Sequence, residues 1–151
     1  LAWLKGYSKR IPITIDAGDI SSDLTWFPVY VYLSGSSGKN SKDITEVIST
    51  VGDNYKACQF TAEDGVTRLY CEVESWTVGP PATAHLWVSL DGWVISSSQH
   101  TILYLYYSGS SISEYWGVPG STTGEAVWDG NFKLVCHMND NPDTSHFQTL
   151  H

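Results

Sequence analysis

The sequence predicts an all-β fold, an antiparallel β-sandwich of jelly-roll character. Three observations predict it. Short runs of alternating apolar and polar residues recur along the chain, separated by turns rich in Gly, Ser, Asn and Asp. No long amphipathic helical pattern interrupts them. Residues 55–76, YKACQFTAEDGVTRLYCEVESW, hold two strand-like runs around Asp64-Gly65, a dipeptide that strongly signals a hairpin. A length of 151 residues suits one domain, 1–151, with a real core.

The elements follow in order. Residues 10–16, RIPITID, set Ile11, Ile13 and Ile15 against Pro12 and Thr14, a strand with one buried face. Pro12 lacks an N–H for a ladder and argues for a sheet edge. Residues 27–33, FPVYVYL, put Val29, Val31 and Leu33 on one face and Tyr30 and Tyr32 on the other. With both faces partly apolar, this strand is expected to be central or to line a groove. Residues 43–49 bring Ile44, Val47 and Ile48 together at helical spacing and predict a short helix. Residues 83–91, TAHLWVSLD, turn Ala84, Leu86, Val88 and Leu90 inward and His85, Trp87 and Ser89 outward. Residues 101–107, TILYLYY, are apolar on both sides and predict an interior strand. Residues 132–137, FKLVCH, are expected to form the last strand.

Within the hairpin, pairing Glu63 with Val66 makes Phe60 face Leu69 and Cys58 face Cys71. At a non-hydrogen-bonded pair the two α-carbons stand roughly 4.5 Å apart, near the short end of what a disulfide tolerates. The expectation is a Cys58–Cys71 disulfide with Cys136 left over, and the alternative is ordinary buried cysteines.

A net charge of -8 with no basic cluster longer than Lys9-Arg10 argues against a nucleic-acid partner. No run approaches the 18 or so apolar residues that a membrane span requires. The first residue is Leu1, which is expected of a fragment or a processed product. Trp and Tyr, 7 and 9 residues, outnumber the 4 Phe, so most aromatic rings carry a polar handle suited to cores and ligand surfaces alike.

Six segments carry a resemblance to a known family. They are YSKRIPITID at 7–16, LTWFPVYVYL at 24–33, FTAEDGVTRLYCEVESW at 60–76, AHLWVSL at 84–90, TILYLYYSG at 101–109 and EAVWDGNFKLVCHMND at 125–140. In order and spacing the chain resembles the domain of unknown function numbered 2341, found in secreted or surface proteins of bacteria and archaea. That family usually has an aliphatic residue where Cys58 stands and Pro where Cys71 stands, so a disulfide would be particular to this chain. The resemblance implies that residues 132–151 lead into a neighbouring domain, lectin-like or glycan-active, and that the protein is extracellular or on a cell surface; a virion surface goes with the structural alternative given below.

Catalytic patterns are missing. There is no G-x-S-x-G and no H-E-x-x-H, and adjacent Cys136 and His137 would point to opposite faces of a strand. Glu72 and Glu74 share a strand face at roughly 6.5–7 Å, a separation compatible with an inverting glycosidase pair. The expectation for them is a solvated face beside Arg68, and no enzyme. For a cofactor, calcium is the candidate. Asp129, Asn131, Asp140 and Asp143 offer hard oxygen donors from loops.

The expected function is that of a non-catalytic carbohydrate-binding module with a polysaccharide partner. The alternative is a structural or interaction domain of an adhesin or viral particle without a glycan ligand. Aromatic rings stack on the apolar faces of sugars while polar neighbours bond hydroxyls. Trp116 and Tyr115, in a Gly/Ser-rich loop, are the first candidates for ligand contact, and Trp87 with His85 on one strand face the second.

Overall fold

The computed structural model describes residues 2–108 and 112–137. Strand β1 (Lys9–Ile15) leads into β2 (Leu24–Thr25) and β3 (Val29–Leu33), helix α1 (Thr45–Val51), and the hairpin strands β4 (Gln59–Ala62) and β5 (Arg68–Thr77). Then come β6 (Thr83–Ser89), β7 (Val94–Ile95), β8 (Thr101–Tyr107), β9 (Trp116–Gly117) and helix α2 (Thr122–Glu125). Seven strands make one sheet in the order β1-β8-β4-β5-β6-β3, with β9 beside β5, while β2 and β7 form a small second sheet.

This corrects the expected jelly-roll sandwich. Among the described residues the fold is mixed α/β: one half-barrel sheet, a two-stranded sheet and two helices. A sandwich needs two separate sheets, whereas here the strands join one continuous ladder. Its two edges contribute to the same core: Ile11, Ile13 and Ile15 of β1 pack on a cluster that includes Val31 and Leu33 of β3. The sheet therefore curls around its own apolar face, and Val47 and Ile48 of α1 with Trp93 and Ile95 close the open side. Alternation tells which face is buried but not what covers it.

Pro12 does lie on an edge strand, since among the described residues β1 pairs with β8 alone. Strand β3 forms the other edge rather than a central strand, pairing with β6 alone among the described residues. Helix α1 opens on Asp43, whose carboxylate accepts from the Thr45 N–H at 2.9 Å and from its hydroxyl at 2.7 Å. It ends at Gly52, which takes a φ of 60° natural to glycine and donates to the Ile48 carbonyl at 2.8 Å.

The hairpin register is as expected from the turn, with Phe60 opposite Leu69 and Thr61 opposite Arg68. The disulfide is not formed: Cys58 and Cys71 are both free thiols. The ladder that would set them opposite each other stops short. Cys58 caps the 3-10 turn Tyr55–Ala57, and β4 begins only at Gln59. The Gln59 amide crosses to the Leu69 carbonyl at 3.1 Å. Beside Cys71 the sheet is continued by β9 instead, with the Cys71 N–H bonded to the Tyr115 carbonyl at 2.8 Å.

The outer, convex face is covered in two halves. The lead-in places Leu4 and Tyr7 on Tyr104 and Tyr106 of β8. Arg10 lies between the rings of Trp3 and Tyr104, 4.5 and 4.2 Å from their centroids. In the other half, the chain after α2 meets β5 and β6, with His137 on Glu72 and Glu74 and Trp128 beside the Trp87 ring. Residues 132–137 form no strand there; they run irregularly and bring His137 down on β5.

Candidate functional site: the outer face of β3, β6 and β5

Period-two alternation builds this face. Ala84, Leu86 and Val88 of β6 are buried in the core, so His85 and Trp87 point outward. Across the ladder, Tyr30 stands opposite Trp87 and Tyr32 opposite His85. The Tyr30 and Trp87 rings lie 5.1 Å apart at 51°, and His85 sits 4.7 Å from the Tyr32 ring. The Tyr30 hydroxyl and His85 Nδ1 are 2.5 Å apart. Tyr30 remains 45% exposed, while Tyr32, His85 and Trp87 are half-buried.

On the other side of β6, Glu72 of β5 faces Trp87. The register then slips by a residue between Val73 and Ser75, leaving Glu74 as the extra residue of a bulge. A bulge re-aims a side chain. Here the Glu74 carboxylate accepts from Trp87 Nε1 at 2.8 Å. His137 lies between the two acids: Nε2 is 2.6 Å from Glu72 Oε1, and Nδ1 is 3.3 Å from Glu74 Oε2. Glu72 is fully buried, and its second oxygen has no hydrogen-bond partner. That oxygen lies against Gly124 of α2, where a Cβ would come within 3.2 Å of it. Trp128 completes the layer, 5.3 Å from the Trp87 ring and 5.1 Å from Phe132.

The expected ligand residues part company. Trp87 and His85 do share an outer face, and Tyr30 and Tyr32 join them. Trp116 is not a loop residue. It is in β9, 1% exposed, and stacks on Phe60 with ring planes 8° apart at 5.3 Å. As placed it cannot meet a ligand, because Gly117 and α2 seal the segment against β5. A Cβ at Gly117 would come within 2.3 Å of Ser121 Oγ and 2.7 Å of the Gly124 nitrogen. Tyr115 packs on Tyr70 at 4.9 Å, with the Arg68 guanidinium over its ring, and does not join Trp87.

Of the expected calcium ligands, Asp129 and Asn131 bond to each other. The Asn131 N–H donates to Asp129 Oδ1 at 2.8 Å and its side-chain amide to Oδ2 at 3.0 Å. Asp140 and Asp143 lie outside the described residues. Among the described residues no group of three or more His, Cys, Asp and Glu side chains could hold a metal ion.

Glu72 and Glu74 are not the solvated pair expected beside Arg68. Their shared strand face was legible from spacing, but their link to His137 and Trp128 had no local signal. The buried acid is out of reach of a substrate, so the pair does not make the open acid–base cleft of a glycosidase. No protein-family model, no curated protein and no solved structure matches the chain. None of these comparisons lends support to the family resemblance drawn from the six segments.

Proposed function

We propose that the chain is a non-catalytic carbohydrate-binding module whose sugar site is the outer face of β3 and β6. The observation that carries this is the exposed Tyr30 ring beside Trp87 on a sheet face turned away from the core. An aromatic ring left half open to water offers the flat apolar surface on which a pyranose C–H face stacks. His85, the tyrosine hydroxyls and Glu74 supply hydrogen-bonding groups at the rim. With a net charge of -8, the favoured partner is a neutral polysaccharide. Because Tyr30 and Trp87 are inclined at 51°, they do not make one flat strip, and the face suits a soluble, twisted chain better than a crystalline surface. Two stacking contacts support an affinity of about a millimolar, or about −4 kcal/mol.

The second reading is a structural or interaction domain. One observation favours it: Trp128 and His137 already cover part of the Trp87 ring, at 5.3 and 6.2 Å. Titration calorimetry against a panel of soluble neutral polysaccharides separates the two. The native chain is expected to bind, and Tyr30→Ala to weaken binding about tenfold. Phe27→Ala, at another exposed ring, is expected to leave it unchanged. No binding by the native chain to any member favours the structural reading. Equal binding by Tyr30→Ala removes this face as the site.

A further inference from the structure

We infer that His137 is a proton-dependent brace for Trp87, so that the protonation of one imidazole sets how firmly the aromatic face is held. The consequence for sugar binding rests on the carbohydrate reading above; the brace itself does not. Three contacts in series make it: Glu72 to His137 at 2.6 Å, His137 to Glu74 at 3.3 Å, and Trp87 Nε1 to Glu74 Oε2 at 2.8 Å.

Counting protons gives the mechanism. An ionised carboxylate only accepts, and a neutral imidazole has one N–H and one lone pair. The short contact to Glu72 takes the N–H on Nε2. Nδ1 then turns its lone pair towards Glu74 Oε2, and two acceptors oppose each other at 3.3 Å. One added proton makes both nitrogens donors, and the same contact becomes a charge-assisted bond. Glu74 Oε2 is also the atom that holds the Trp87 indole. Whatever draws on that oxygen is felt by the ring.

Among the described residues, these groups face His137 and the acids it joins. From β5 it meets Glu72 and Glu74. From β3, Tyr30 lies in the field of Glu74, and burial followed by that charge raises the Tyr30 pKa, so its phenol stays protonated through neutral pH. From β6 come the Trp87 indole, which does not titrate, and His85, which is bonded to the Tyr30 hydroxyl. From α2, Gly124 abuts the free oxygen of Glu72. On its own segment, Trp128 lies 6.2 Å away, ring to ring.

The test is a pH titration of the whole chain by NMR, across about pH 5 to 8, where histidines change charge. It follows the His137 imidazole and the Trp87 indole N–H. The Trp87 signal is expected to move with the midpoint of His137, and to lose that movement in His137→Gln. Glu74→Gln, which keeps an acceptor for the indole but removes the charge, is expected to lose it as well and serves if His137→Gln does not fold. A Trp87 signal that ignores the His137 titration, or that moves identically in the variants, overturns the brace. Calorimetry at the two ends of the range then reads the consequence, with binding about three- to tenfold tighter at the acid end. Native protein that binds no polysaccharide at either pH sinks the carbohydrate reading and leaves the indole result to decide the brace. Binding that is equal at both ends with a still indole sinks the brace and leaves the carbohydrate reading.

Discussion

Glu72 and His137 stand 65 residues apart in the chain and meet at 2.6 Å, the carboxylate wholly buried under the segment that carries the imidazole. The contact fastens the end of the described chain to the middle of the sheet.

Removing the imidazole strands a buried carboxylate. His137→Ala is expected to destabilise the protein by about 3 kcal/mol, the lower end of what breaking a buried pair costs. His137→Gln, which can still donate one bond to Glu72, is expected to lose less. Urea denaturation of the three proteins reads both.

Trp116 belongs to the core, and its substitution is a stability experiment. Trp116→Ala removes a ring stacked on Phe60 and edge-on to Trp76, and is expected to destabilise by about 3–5 kcal/mol. If it left stability within about 0.5 kcal/mol of native, the placement of β9 beside β5 would be wrong.

Gly117→Ala probes the same contact from the backbone. Its methyl would meet Ser121 Oγ and the Gly124 nitrogen far inside van der Waals distance. Forced packing of this kind is expected to destabilise by about 1–3 kcal/mol. Gly79→Ala, where nothing lies within 4 Å, is the control expected to be near neutral.

The cysteines give a chemical count and a pH effect. Denatured without reductant, the chain is expected to show Cys58 and Cys71 as reactive thiols rather than as a bridge. In the folded protein, burial pushes the Cys58 thiol up to about 12 and raises Cys71 well above its ordinary value of 9.0. The folded state then holds protons that the unfolded state gives up. Their contribution to stability is full below about pH 9 and is lost as the pH rises towards about 12. Denaturation midpoints that fall over that range, and fall less in Cys58→Ala, are the expected outcome.

The strands were legible because their side-chain period is local. RIPITID, TAHLWVSL and TILYLYY each announce a strand, and Asp64-Gly65 announces the turn that sets Phe60 opposite Leu69. Trp87 and His85 were legible as outward partners for the same reason. What covers a face was not. Whether β8 and β3 belong to two sheets or to one curled sheet depends on pairings between distant segments. Trp116 in a Gly/Ser-rich stretch reads as a loop residue because a two-residue strand has no period. FKLVCH alternates like a strand, yet β5 already has β4, β9 and β6 along it and offers that segment only side chains. The bulge at Glu74 and the arrival of His137 depend on that same packing.

The most direct test of the central claim is to follow the indole N–H signals of the seven tryptophans while a soluble neutral polysaccharide is added. Trp87 and its neighbour Trp128 are expected to shift together, with Trp116 and Trp93 still, because these last two lie in the core. Shifts confined to tryptophans away from β6, or none at polysaccharide concentrations well above about a millimolar, would contradict a sugar site on this face.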